Sequence, residues 1–117
     1  MAVKSSDFLS FNDGICEIYS VENVADPGDR PEEKLILKYS LRFAYHTVGM
    51  SRYYEAMQAA VKITNAVECP LRKDVNPQDV AIIEGRQYRI EQKQTRKDTR
   101  PASMLLSLSD IEEAYEL

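Results

Sequence analysis

The residues of this chain that could do chemistry are few, and their spacing is uninformative for catalysis. His46 is the one histidine among 117 residues, and Cys16 and Cys69 are the two cysteines. An imidazole beside a thiol or hydroxyl is the usual way to make a nucleophile, yet His46 falls on the polar side of an alternating run, with no Cys or Asp at a telling distance. The cysteines are separated by 52 residues and belong to no CxxC, HxxxH or EF-hand pattern. The acidic pair Glu32-Glu33 lacks the ligand spacing that hard cations need, and Gly14, Gly28, Gly49 and Gly85 are too scattered to cradle a phosphate. We therefore expect no catalytic group, no metal, no cofactor and two reduced thiols. What remains is Arg52 with Tyr53 and Tyr54, residue types that stack on bases or anchor protein interfaces, and that serve equally well to pack one side of a short helix.

The elements that would position these residues are strands. From Leu35 through Leu37, Tyr39, Leu41 and Phe43 to Tyr45 every second residue is apolar, while Lys38, Ser40, Arg42 and His46 occupy the other register. That period of two is the mark of a sheet with one buried face. A strand over 34–49 would span roughly 40 Å or more, longer than a small domain needs, so part of it is expected to reach a neighbour. Before it, Gly14–Val21 reads as a shorter strand, and residues 22–33 as a mobile acidic loop carrying Pro27, Gly28 and Pro31. After it, Ser51 is placed to cap a short helix over 51–60 that must lean on something else, and 60–69 alternates again as a return strand pairing with the 34–49 arm.

Residues 70–78 form a Pro-bounded loop, and 78–92 a hairpin. Its turn is expected to be a three-residue loop, Ile83 to Gly85, which sets Val80 opposite Tyr88 and gives Gly85 the positive-φ position; a two-residue turn would set Ala81 opposite Tyr88. Met104, Leu106 and Leu108 share one side of a last core strand. Ser109 and Glu112 then fit a capping box, so the end is expected to form a short helix, with a continued edge strand as the competing reading. Strands without βαβ spacing favour a mainly β fold: a small antiparallel β-barrel or sandwich in a single domain over 1–117, with a long protruding hairpin and one or two short helices.

Charge narrows the function classes. The total is −4, but residues 1–33 carry −6, residues 34–100 carry +6 and residues 101–117 carry −4. Such a balance argues against simple DNA wrapping, which asks for a clearly basic total, and is suited to steering copies of the chain against one another. No signal-peptide pattern and no stretch near the roughly 20 apolar residues of a membrane span is visible, so an intracellular, soluble protein is expected.

Three stretches carry a family resemblance: G-x-x-R-Y-Y-E-A at Gly49 to Ala56, Q-D-x-x-I-I-x-G-x-x-Y-x-I at Gln78 to Ile90, and D-x-x-P-x-S-x-x-L-x-L at Asp98 to Leu108. In order and spacing the chain resembles the head-tail connector proteins of tailed bacteriophages, in particular the head-closure or stopper group, over roughly its last two-thirds. The resemblance implies a non-enzymatic β-barrel subunit in the virion neck, made in the host cytoplasm. It would form a ring with other copies of itself under the portal or adaptor protein, retain packaged double-stranded DNA without binding it specifically, and offer a docking surface to a tail-completion or tail-tube protein. Gly49, Arg52, Tyr53, Tyr54, Glu55 and Met57 would then touch a neighbouring subunit or ring, and Gly85 would be a structural turn. A tail-completion or terminator protein is the alternative within the virion, and an oligonucleotide-binding barrel the alternative outside it.

Overall fold

A computed structural model describes residues 10–46 and 63–116. Six antiparallel strands, β1 (Gly14–Asn23), β2 (Glu33–Tyr45), β3 (Asn65–Pro70), β4 (Val80–Ile83), β5 (Arg86–Arg96) and β6 (Ser103–Asp110), close into a barrel in the order β1-β2-β3-β6-β5-β4. A barrel this small has no room for a channel, and side chains fill it. Cys16 and Ile18 of β1, Leu41 and Phe43 of β2, Val67 and Cys69 of β3, Ala81 and Ile83 of β4, Tyr88 and Ile90 of β5, and Met104, Leu106 and Leu108 of β6 make one core. Met104, Leu106 and Leu108 share a face as the alternation predicts, and all are fully buried. Both thiols lie inside; burial raises the Cys16 thiol well above its ordinary range and pushes Cys69 up to about 12, which makes them packing groups and poor nucleophiles.

Two bulges decide where the barrel ends. On β2, Ile18 faces Tyr39 but Tyr19 faces Leu37, so Lys38 is an extra residue. An extra residue reverses the alternation. Tyr39, Leu41 and Phe43 therefore point inward, whereas Leu35 and Leu37 share the outer face with Val21 and Tyr19. The even spacing of these apolar residues, read as one buried face, belongs to two opposite faces. On β5, Ile90 faces Leu108 but Gln92 faces Ser107, so Glu91 is the extra residue and Lys93 turns to the inner side with Leu106.

Both bulges aim a lysine at the connection 71–79, which closes this end of the barrel with the fully buried Val75. Lys38 Nζ donates to Asp79 Oδ2 at 2.8 Å and to the carbonyl of Asp74; Lys93 Nζ donates to the carbonyl of Arg72 at 2.7 Å. The Tyr39 hydroxyl donates to Asp74, and Arg72 lies over the Tyr39 ring at 5.6 Å. These bonds satisfy carbonyls that a connection folded into a barrel mouth would otherwise leave unpaired.

Two expectations are corrected. The β4–β5 turn has two residues, with Ile83 opposite Arg86 and Ala81 opposite Tyr88, and both Glu84 (φ 52°) and Gly85 (φ 78°) are left-handed. This is the type I′ geometry whose twist matches the flanking strands. A three-residue loop would keep Val80, Ile82 and Tyr88 on one face, but β4 is buried on both faces, so its apolar residues need not share one. No helix follows β6 within 110–116: Ser109 is still in the ladder opposite Arg89, and its hydroxyl donates to Glu91 at 2.9 Å instead of capping. Nor does the chain continue as an edge strand; it crosses outside β5, where the Gln87 side chain exchanges two 2.8 Å bonds with the backbone of Tyr115. The expected return strand does pair with the end of the long strand: among the described residues β3 meets β2 at Ala44–Glu68 and Tyr45–Val67 along one edge and β6 along the other, while the longest described strand pair is β1–β2. The expected helix over 51–60 lies outside the described residues.

Candidate functional site

Two places gather polar or exposed side chains in a way that the core does not require. The first surrounds Glu68. This residue sits on the outer side of β3 between inward-facing Val67 and Cys69, yet its side chain is only 8% exposed. Neighbouring strands supply the reason. Ser103 of β6 donates to Glu68 Oε2 at 2.6 Å, Arg96 of β5 donates to the same oxygen at 3.1 Å, and His46 Nδ1 stands 3.6 Å from Oε1. Thr99, itself buried, places its hydroxyl 3.0 Å from Ser103 Oγ and 2.9 Å from the carbonyl of Pro101, across the cis Arg100–Pro101 bond.

Serine, histidine and glutamate are the members of an acyl-transfer triad, but their order here differs. In a triad the imidazole stands between hydroxyl and carboxylate so that it can take the hydroxyl proton. Here the carboxylate stands in the middle, and the Ser103 proton already points at it. The arrangement is a charge-assisted clasp that ties the base of the β5–β6 hairpin to β3 and leaves the buried carboxylate satisfied. Nothing in the local sequence around Glu68 signals it, because its partners come from positions 46, 96, 99 and 103. Among the described residues no three His, Cys, Asp or Glu side chains converge as a metal site would require.

The second place is the ribbon formed by the distal halves of β1 and β2. β4 accompanies β1 only from Cys16 to Tyr19, and β3 accompanies β2 only at Ala44 and Tyr45. Beyond these rungs Ser20–Asn23 and 33–36 pair with each other as a two-stranded extension. Its end is built by Asn23, whose side-chain carbonyl accepts from the amides of Ala25 (3.1 Å) and Glu32 (3.0 Å), while Val24 N donates to the Glu32 carbonyl. The acidic loop that the composition marks as mobile is thus closed by an Asx-type arrangement. Three of the five exposed large apolar side chains among the described residues lie here, Leu37 (52% exposed), Ile36 (43%) and Val24 (43%), while Ile15 (51%) and Tyr45 (49%) lie at the other end of the strand pair. Tyr115 and Glu116 of the C-terminal segment lie beside Glu32, Glu33, Lys34 and Leu35, and Arg89 donates to the Tyr115 hydroxyl at 3.1 Å.

Of the residues singled out in the sequence, Gly85 is the second residue of the two-residue β4–β5 turn, at φ 78°. Gly49, Arg52, Tyr53, Tyr54, Glu55 and Met57 lie outside the described residues. No described helix is long and apolar enough to cross a membrane.

No family model matches the chain, and no curated protein matches it. Among solved structures, the chain is similar to the solution structure of protein SF1141 from Shigella flexneri 2a, a structural genomics target. The likeness has a TM-score of 0.66 and covers 96% of this chain and 100% of that one, at 14% identity. At that identity it speaks to the fold alone.

Proposed function

We propose that this chain is a structural subunit of the neck of a tailed bacteriophage or prophage, of the head-closure type. Copies of it form a ring under the portal or adaptor protein. The ring retains packaged double-stranded DNA, which passes through it without specific binding, and presents the surface to which a tail-completion or tail-tube protein docks. The subunit works without catalysis or cofactor, and it resides in the virion after assembly in the host cytoplasm.

The observation that carries this reading is the contrast between a barrel filled by its own side chains and a ribbon that leaves Ile36 and Leu37 of β2, with Val24 just past β1, exposed beside strand edges that have no partner strand among the described residues. A protein built to bind a small molecule invests in a cavity; one built to assemble invests in exposed apolar surface and unpaired strand. The motifs at Gly49 to Ala56, Gln78 to Ile90 and Asp98 to Leu108 supply the family, and the segregated charges suit contacts between unlike faces.

Electron microscopy of particles from a phage lacking this chain tests the reading. Tailless heads that have lost their DNA, normal free tails, and restored joining when purified protein is added are the expected result. Filled heads beside defective tails would move the protein to the tail side, and intact infectious particles would remove it from the neck.

A further inference from the structure

The two strands of the ribbon differ in charge. β1 carries Glu17 and Glu22 and no basic residue, whereas β2 carries Lys34, Lys38 and Arg42 against Glu33 alone. Each strand also has an outer edge with no partner strand among the described residues: Ser20–Asn23 on β1, beyond its last rung with β4, and 33–43 on β2, before its first rung with β3. An unpaired edge offers a row of N–H and C=O groups that another strand can complete.

We infer that the ribbon is a self-association element: the acidic β1 edge of one copy pairs with the basic β2 edge of the next, which partly covers Ile36 on one face of the joined sheet and Leu37 on the other. The occupant is a second copy, because the chain carries both complementary edges. Pairing β2 with β2 would bring Lys34, Lys38 and Arg42 together, and pairing β1 with β1 would bring Glu22 against Glu22; like charges across a ladder oppose pairing. Unlike edges make the contact heterologous, and a heterologous contact repeated around an axis closes a ring. Lys38 already holds Asp79, so Lys34, opposite Glu22 and beside Tyr115 and Glu116, and Arg42, both exposed and in no ion pair among the described residues, are the cations left to meet an incoming strand. The inference deepens the ring reading above and rests on it for the ring's place in a virion, but the contact itself is testable on the purified chain.

Glu22 stands directly opposite Lys34 within the ribbon, so a charge change there has an internal effect as well as an external one. Sedimentation of the full chain separates the two. Wild type should assemble with rising concentration at low salt and dissociate as salt screens the contact. Glu22→Lys and Lys34→Glu should each weaken assembly about tenfold or more, and an equimolar mixture of the two should restore it, since each then offers the edge the other needs. Restoration by mixing cannot come from repair of an internal pair. Leu37→Glu, at an exposed position, should weaken assembly with an unchanged melting temperature. A wild-type chain that stays monomeric into the millimolar range overturns the contact, as do assembly of Glu22→Lys at wild-type strength and folded variants that fail to restore assembly when mixed. Rings that persist in both charge variants overturn the ribbon contact while leaving the neck assignment to the particle experiment.

Discussion

The barrel and the ribbon are made from the same two strands, and the change from one to the other takes place within a single step of β2. On the Phe43 side of Lys38 the odd-numbered residues of β2 face a filled interior; on the Leu35 side they face outward. Phe43 is 1% exposed and Leu37 52%, although both are large apolar residues six positions apart in one uninterrupted alternation. Alternation specifies a sheet with two unlike faces, whereas burial depends on what the other strands place opposite. In the barrel five other strands close over β2. In the ribbon one strand accompanies it, and a two-stranded ribbon alone cannot cover either face.

Substitutions should divide along this boundary. The largest effect is expected from Phe43→Ala, which empties part of the barrel interior and should cost about 3–5 kcal/mol in urea denaturation, whereas Leu37→Ala should stay within about 0.5 kcal/mol. Equal losses at the two positions would mean that the ribbon packs as core. Next, Glu68→Ala removes the acceptor of Ser103 and Arg96 and should destabilise by about 1–3 kcal/mol, read by the same titration. That would place the polar clasp with the barrel and not with the adaptable surface.

The β4–β5 turn offers a smaller pair of opposite sign. Gly85→Ala forces a Cβ into a left-handed position and should cost about 1–2 kcal/mol. Glu84→Asn creates the Asn-Gly sequence that type I′ turns favour and should gain a few tenths of a kcal/mol, on the order of 0.5. Differential scanning calorimetry of both variants checks the turn type, since a three-residue loop would leave position 84 indifferent to asparagine.

The smallest effect concerns the connection 71–79, which plugs one end of the barrel. The Tyr39 hydroxyl, donating to Asp74, holds that carboxyl below its usual range, and the same bond raises the Tyr39 phenol. A lowered carboxyl contributes stability that is present above the ordinary carboxylate range and lost as pH falls through the lowered value. A raised phenol contributes stability present below the ordinary phenol range and lost as pH rises through the raised value. Tyr39→Phe should therefore flatten both limbs of the stability profile slightly and return Asp74 toward its ordinary titration, followed by carboxyl NMR. An unmoved Asp74 would show that the ribbon's root and the plug are independent.

Much of this was legible in the residues themselves. The strands of β1, β2, β5 and β6, the antiparallel class, the inward set Met104, Leu106 and Leu108, and the need for glycine at position 85 all follow from local period and turn chemistry. The Glu68 clasp was not legible, because five residues scattered from 46 to 103 meet only after the barrel closes. Ser109–Glu112 illustrates the reverse failure. Its capping-box pattern is genuine, but Ser109 reaches a ladder position and a Glu91 acceptor that the local sequence does not contain.

The position of most strands and the unlikeness of their two sides can be read from the residues, because side-chain direction alternates along any extended backbone regardless of context. Which side is inside depends on the closed barrel. That choice turns on one extra residue in β2 and one in β5, and a bulge arises where the strands on either side must bend to close the barrel.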